Sequence, residues 1–482
     1  MAVRARLTPP RDARENWPWH TAKTASLRAS LLFGGDRRME AENFLGQGFG
    51  TRRAIESKSN GWTALKSIAR TWQPSRLKGI QVGPEFGTAF LAATQVFDLR
   101  PVARKWLSLD RTGDHADRIL KQGTILLTCS GDVGRATLAH STTDQLLVSH
   151  DLLRIDADPA WHGWVYAYLR APTIRATMKS AQYRHIIKHL ETEHLDHLPV
   201  VIPRREATRR VCSEKSTAIV AARNTAIEKI SAAEALFSAQ FQDPRPRPPR
   251  DLGFARRASG SIFGKRRRLD AWTYNPEAAA IEVALREQAI EWQSLGDIGC
   301  QIWLPNRFRR VPAEDGLELV DSSSIFEINP DPGRRIAADQ IADRNGGMVE
   351  LDWLMMSRSG QIYGLLGSVV LATTAHEGKV VSDDVIRIDT NSGIDPGYLY
   401  VVLSHNDLGR PRVKALAYGS SIPHIEVEDL KQLGIPRLES EVEQAIGSLA
   451  REAFASWASA DAAENEMAEI AEQEIADFLA AS

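Results

Sequence analysis

An internal duplication with a period near 230 residues constrains this 482-residue chain more than its composition does. FGGDRRMEAENF from Phe33 is answered by FGKRRRLDAWTY from Phe263, and ALKSIA around Ile68 by SLGDIG around Ile298, both 230 positions on. GTAFLAATQVFDLRP from Gly87 and GLELVDSSSIFEINP from Gly316 stand 229 apart, as do the turns Ser130-Gly131 and Ser359-Gly360. GWVYAYL from Gly163 matches GYLYVVL from Gly397, HLETEHL from His189 matches HIEVEDL from His424, and Ile202-Pro203 matches Ile435-Pro436, at offsets of 234, 235 and 233. Seven matches in one order within so narrow a band mean two homologous domains. The period is far too long for a solenoid repeat, and the chain is too long for one compact core.

Within each copy the texture is mostly strand-like. Residues 124–130 and 353–359 are short apolar runs ending at Ser-Gly, the pattern of a buried strand entering a tight turn, and 152–158 and 385–390 alternate as half-buried strands do. Each copy then closes on a helical stretch. After Pro203, Ile219, Ala222, Ala226, Ile230, Ala233, Phe237 and Phe241 form one apolar stripe; after Pro436, Val442, Ile446, Leu449, Ala453, Trp457, Ala460, Met467, Ala471, Ile475 and Phe478 form another. At 1.5 Å per residue these two helices would be about 57–63 Å long. The Pro/Arg-rich DPRPRPPR from Asp243 reads as a stiff linker between the copies. The expected division is a basic leader over 1–32, read as a disordered arm, a first domain over 33–203, a spacer helix over 204–242, a linker over 243–262, a second domain over 263–436 and an acidic spacer helix over 437–482.

The net charge of −1 conceals a polarity along the chain. From Glu439 to the end there are eleven acidic residues and one basic one, a net of −10, so the other 438 residues carry +9. From Arg204 to Phe241 seven basic residues face four acidic ones. Two amphipathic helices of unlike charge are suited to packing on one another, with packing of each on its own domain as the plainer alternative. A basic body suits a polyanionic partner. No run of eighteen apolar residues offers a membrane span. The three cysteines, Cys129, Cys212 and Cys300, stand 83 and 88 residues apart, which excludes a disulfide framework and a cysteine zinc site and suits a reducing cytosol.

Catalytic signatures are missing. There is no GxxxxGK[ST] phosphate loop, no GxSxG and no HExxH, and INPDP at 328–332 lacks the second adjacent proline and the aromatic of an adenine methyltransferase motif. His185 and His189, spaced four apart and followed by Glu191, Glu193, His194 and His197, could present two imidazoles to zinc, but the second copy keeps only His424 with Glu426 and Glu428, so no metal site is expected. Basic and aromatic residues near loops are the better contact candidates. In the first copy these are Arg76, Lys78, Arg104, Lys105, Arg111, Arg135, Tyr183, Arg184 and Lys188, with Ser130 of the turn. In the second they are Arg307, Arg309, Arg310, Arg334, Arg335, Arg358, Tyr363, Lys414 and Tyr418. Arginine's planar fork can bridge guanine O6 and N7 or clamp a phosphate.

Arg268-Leu269-Asp270-Ala271 with Tyr274 and Pro276, degraded in the first copy to Arg38-Met39-Glu40-Ala41 with Phe44, opens each domain; a strand ending in Ile-Pro and a long helix closes it. Together with the turn from Gly123 to Gly134, loosely repeated from Trp353 to Gly364, this pattern resembles the specificity subunit of Type I restriction-modification systems over residues 33–480. The resemblance implies an α+β protein with two duplicated mixed α/β DNA-recognition domains joined by two long antiparallel coiled-coil helices. Each domain would read half of a bipartite site in double-stranded DNA. Adenine methyltransferase subunits would dock on the helices, which Ile219, Ile230, Phe237, Leu449, Trp457 and Ile475 would hold together. A restriction nuclease/translocase subunit would join where the system cuts. This chain would bind no cofactor and perform no catalysis, S-adenosylmethionine sitting on the partner, and the setting would be a prokaryotic cytoplasm. The competing readings are a stand-alone metal-dependent nuclease using residues such as Glu191, His194 and Asp196, and an assembly scaffold that binds no DNA.

Overall fold

The computed structural model describes residues 41–76, 79–108, 118–144, 146–180, 189–242, 271–331, 333–341, 347–419 and 421–481, with Leu27, Ala29 and Arg268. The chain is a mixed helix and strand, α+β structure. Its longest elements are the helices Glu206–Ser238, of 33 residues, and Ser440–Ala480, of 41. Neither contains proline, the residue that would remove a backbone donor and kink the rod. The first is shorter than expected: Arg205 is still extended, and the helix gives way to a turn at Ala239–Phe241, before Asp243-Pro244. At 1.5 Å per residue the two span about 50 and 62 Å.

The two helices pack antiparallel. Lys215 Nζ lies 2.6 Å from Glu466, Lys229 pairs with Glu452, and Thr208 Oγ1 donates to Glu474 at 3.1 Å, so positions advance on one helix as they retreat on the other. Their seam buries Cys212, Ile219, Ala226, Ile230, Ala233 and Phe237 against Ile446, Ala453, Trp457, Ala460, Met467 and Ile475 at three- and four-residue spacing. Each helix also enters both domain cores. Cys212 and Ile219 join the first core and Ile230 and Phe237 the second; Ile446 and Trp457 join the second and Met467 and Ile475 the first, while Leu449 packs at the edge of the second. The two packing alternatives raised by the sequence therefore coexist.

The two halves share their strand order. In the first, Ala69–Trp72, Leu152–Ala157, Ile125–Thr128 and Ala136–Leu138 lie side by side, all antiparallel. In the second, Gln301–Trp303, Val385–Asp389, Leu354–Ser357 and Val369–Leu371 do the same. A short ribbon ties each half's beginning to its end, Trp62–Ala64 to Pro199–Val201 and Glu291–Ser294 to Gly434–Arg437. A smaller sheet in each half includes one parallel pair, Leu91 beside Val148 and Val320 beside Val381.

One buried arginine per half staples the two sheets. Arg154 donates to the carbonyls of Leu152 and Val148 at 3.0 and 3.1 Å, and Arg387, at the matching position, donates to Val385 and to Val381. Both side chains are enclosed, and burial lowers each guanidinium to a pKa of about 10. Satisfying several carbonyls with one charged fork offsets that desolvation.

The halves also touch each other directly near the middle of the long helices. Leu99 N donates to Phe326 O at 2.8 Å and Ile328 N donates to Phe97 O at 2.6 Å, with Asp98 opposite Glu327. Since Phe97, Asp98 and Leu99 match Phe326, Glu327 and Ile328, the two hydrogen bonds are each other's image under a local twofold. Putting equivalent acids face to face has an electrostatic consequence. Burial first, and the Glu327 charge second, push the Asp98 carboxyl up to about 7. Asp461 nearby, which accepts from Asn329 N at 3.0 Å, is also raised to about 7, chiefly by burial.

In the unfolded chain an aspartate titrates near about 3.9. The folded state therefore binds these two protons more readily, and their contribution is complete below that value and lost as pH rises through 7. Between pH 6 and pH 8 the chain is expected to lose on the order of 1 kcal/mol of stability per group. Denaturant melts of Asp98→Asn and Asp461→Asn check this; each variant should flatten its share of the slope. No helix among the described residues is long and apolar enough to cross a membrane.

Candidate nucleic-acid interface

Each Ser-Gly turn closes a core strand. In the first half the strand Ile125–Thr128 delivers Ser130 to a pocket of polar groups: its Oγ lies 2.7 Å from His189 Nδ1 and donates to Asp151 at 3.2 Å. Gly131 follows with φ +74°, which a side chain would resist. In the second half Ser359 Oγ donates to Asp384 at 2.9 Å, and Ser359 bridges to His424 as Ser130 does to His189. The second turn is four residues longer than the first, which moves its closing glycine three positions beyond the one the sequence match suggests. Gly134 N donates to Thr128 O, and it is Gly367 N, not Gly364 N, that donates to Ser357 O in the equivalent bond. The lengthened turn carries Tyr363, 74 % exposed.

The candidate contact residues fall into three environments. The first is solvent. Arg76, Arg104, Lys105, Arg307, Arg309 and Arg334 are exposed and form no ion pair with any described residue. They occupy matching positions: Lys105, opening the strand Lys105–Ser108, pairs with Phe90 where Leu319 N bonds Arg334 O, and residues 73–76 and 304–311 each leave the first strand of a main sheet. Arg310 pairs with Asp383 at 2.9 Å, and Arg335 donates to Gly316 O at 3.3 Å.

The second environment is the neighbourhood of the second turn. Arg358 lies 3.0 Å from Glu426 and 3.6 Å from Asp384, Tyr418 Oη donates to Glu426 at 2.7 Å, and Tyr418 stacks against His424 at 4.1 Å between centroids. Glu426 is held below its usual range by the Tyr418 hydrogen bond first, with Arg358 adding to it against a smaller effect of burial. The arrangement holds Arg358 in one place through two acids, which orients its fork while cancelling much of its charge.

The third is the contact between halves. Arg135 is turned away from its own turn: its Nη1 lies 2.6 Å from Glu327, its Nη2 donates to Ile328 O at 3.2 Å, and it stacks over Phe97 at 4.1 Å. Lys414 is half-buried beside Arg104 and Arg410, where burial first and those two charges next lower its ammonium to about 8. Lys78, Arg111, Tyr183, Arg184 and Lys188 lie outside the described residues, as does His185.

Sequence reasoning passed over Arg175 and Lys179, which bracket the first turn by pairing with Asp132 at 2.7 and 3.1 Å. Their spacing on the helix Pro172–Ser180 was the available signal. The acids and imidazole weighed for metal chemistry are engaged locally: Glu191 and His194 form the capping box of the helix Thr192–Asp196, and Asp196 accepts from Thr71. Among the described residues no group of three or more His, Cys, Asp or Glu is placed to hold a metal ion.

No family model matches the chain. No curated protein matches it. Solved structures of Type I restriction-modification specificity subunits match most of its length at low similarity. The S subunit from M. genitalium is 12 % identical over 87 % of this chain and 97 % of that one, with a TM-score of 0.31. The HsdS subunit from Thermoanaerobacter tengcongensis is 13 % identical over 88 % of this chain and 97 % of that one, with a TM-score of 0.26.

Proposed function

We propose that this chain is a DNA-specificity subunit, with residues 33–203 and 263–436 each reading one half of a bipartite duplex site and the two long helices acting as an antiparallel coiled-coil spacer. The observation that carries the reading is the duplicated architecture, in which the same strand order and the same arginine staple recur at opposite ends of one helical pair. A twofold-related pair of readers on a strut of about 50–60 Å suits two half-sites one and a half to two duplex turns apart, at about 34–36 Å per turn. The basic residues at matching positions that form no ion pair among the described residues, Arg76 and Lys105 against Arg307 and Arg334, would supply salt-sensitive phosphate contacts; Arg358 and Tyr418, held by Glu426, would serve as base readers. Chemistry would belong to an adenine methyltransferase partner carrying S-adenosylmethionine and docked on the spacer, with a nuclease/translocase subunit in systems that cut. The chain itself would be non-catalytic and would work in a prokaryotic cytoplasm.

The test is selection of bound duplexes from a randomised pool by the full chain, with methyltransferase subunits encoded beside it. A two-part consensus is expected. Arg358→Ala should relax one half of it and cost about 1–3 kcal/mol there, whereas Arg307→Ala should weaken all sequences alike and lower the salt slope by about 1. Binding without sequence preference, or duplex cleavage by the chain alone with Mg²⁺ or Mn²⁺, would reverse the proposal.

A further inference from the structure

The local twofold is broken at one place, and a charged cavity fills the gap. Thr128 N bonds Arg135 O and Ser357 N bonds Ser368 O, both at 2.9 Å, so Ser368 stands where the first half has Arg135. Arg135 lies on Phe97 of its own half and reaches Glu327 of the other. The mirror-image slot, over Phe326 beside Asp98, receives no side chain from Ser368. It opens instead into a cavity of about 160 Å³ between the halves. A single water needs roughly 10–15 Å³ by such a measure, so the space is ample for a small ligand group.

The walls specify the chemistry of that group. Arg104 from the first half and Arg410 and Lys414 from the second converge on the cavity. The side chains of Arg104 and Lys414 form no hydrogen bond or ion pair with any described residue, and the Arg410 side chain has only a 3.4 Å contact to Gly364 O. Arg100, also in the wall, is neutralised by Glu234 at 2.7 Å. Among the described residues the one acid lining the cavity is Asp98, whose carboxyl is raised to about 7 and so offers only part of a charge. Trp457, also in the lining, is 3 % exposed, and its indole N–H has no acceptor among the described residues. A buried donor left without an acceptor costs about 1–3 kcal/mol, and cations crowded without counter-charge repel one another.

We propose that the cleft between the halves is a binding site for a phosphoryl group, held by Arg104, Arg410 and Lys414 with the Trp457 N–H as a further donor. Three cations and a neutral donor around a partly open cleft match a phosphate ester's charge and acceptor oxygens. The inference goes beyond the DNA-reading proposal, since the cleft lies between the readers and its occupancy would link their relative placement to a ligand.

Calorimetric titration of the full chain with pyrophosphate, against chloride of equal ionic strength, tests it. Saturable binding is expected, weakened at least tenfold in Lys414→Gln and in Arg104→Gln and retained in Lys414→Arg. Ser368→Arg, which restores the missing side chain and leaves every cation in place, should abolish it, with melting curves reporting that the variants fold. If pyrophosphate then competes with duplex for the chain, the natural phosphoryl group is a backbone phosphate; if it does not, it belongs to a free phosphorylated compound. Absence of saturable uptake, or uptake that Ser368→Arg and Lys414→Gln leave unchanged, overturns the site. That result would leave sequence-specific duplex binding untouched, and loss of the latter would leave pyrophosphate binding untouched.

Discussion

Glu464→Ala is expected to cost about 3–5 kcal/mol of stability, the range for leaving buried charges without their partner. Glu464 is fully enclosed on the seam of the long helices. It lies 2.8 Å from Arg223 and 3.3 Å from Arg170, accepts from Asn329 Nδ2 at 2.9 Å and receives the Tyr166 hydroxyl. Those four partners come from the first half, the first long helix and the second half, so one carboxylate joins every major part of the molecule. Burial alone would raise its pKa, but Arg170 and Arg223 hold it down to about 2.

The alanine variant would strip the enclosed Arg223 and the part-buried Arg170 of the carboxylate they share. The midpoint of guanidinium-induced unfolding at neutral pH measures the loss. A change below about 1 kcal/mol would mean that the network is energetically neutral. Because the folded pKa is depressed, the contribution is present above about 4.3, the unfolded value, and disappears as pH falls through 2. Replacing Arg170, Arg223 and Glu464 together by Met, Met and Leu should recover much of the loss, since apolar residues of similar volume need no counter-charge.

Gly163→Val and Gly397→Val form the second large pair, and they should act alike because the positions correspond. A Cβ at Gly163 would meet Cys212 C at 2.4 Å and one at Gly397 would meet Gly447 O at 2.3 Å, both backbone atoms of a long helix. Each glycine is what allows its half's core helix, His162–Arg170 or Pro396–Ser404, to lie directly on the spacer. Relief requires moving a whole helix, so a loss of about 2–3 kcal/mol or more is expected, at the upper end for overpacking. Thermal melting checks the magnitude. A functional readout separates this from generic damage: among duplexes differing only in half-site spacing, either variant should blur the preferred length. Unchanged spacing preference with lowered stability would show that the contact fixes packing and not separation.

The legibility of this protein in its sequence divides along a clear physical line. Residues such as Ile219, Ile230, Met467 and Ile475 reveal a helix face because their three- and four-residue spacing is itself the geometry of that face. The strands around Leu126 and Met355 are likewise legible, since an apolar run closed by Ser-Gly carries its own turn. What spacing cannot convey is which distant charge a side chain will meet. Arg135 and Arg358 look alike as loop arginines, yet one lies against Glu327 of the other half and the other is pinned by Glu426 and Asp384 within its own. The expected 204–242 helix is also trimmed at both ends, because the apolar stripe continues through Phe241 after the backbone has turned.

By itself the sequence determined the duplication, the strand-rich texture of each copy and the two long amphipathic helices, all properties of periodicity along the chain. Only the tertiary structure decided the twofold contact at Asp98 and Glu327, the Glu464 network and the cationic cleft left where Ser368 replaces an arginine. These depend on segments up to about 300 residues apart being brought within a few ångströms, and Coulomb and hydrogen-bond energies are set by that separation in space rather than by order in the chain.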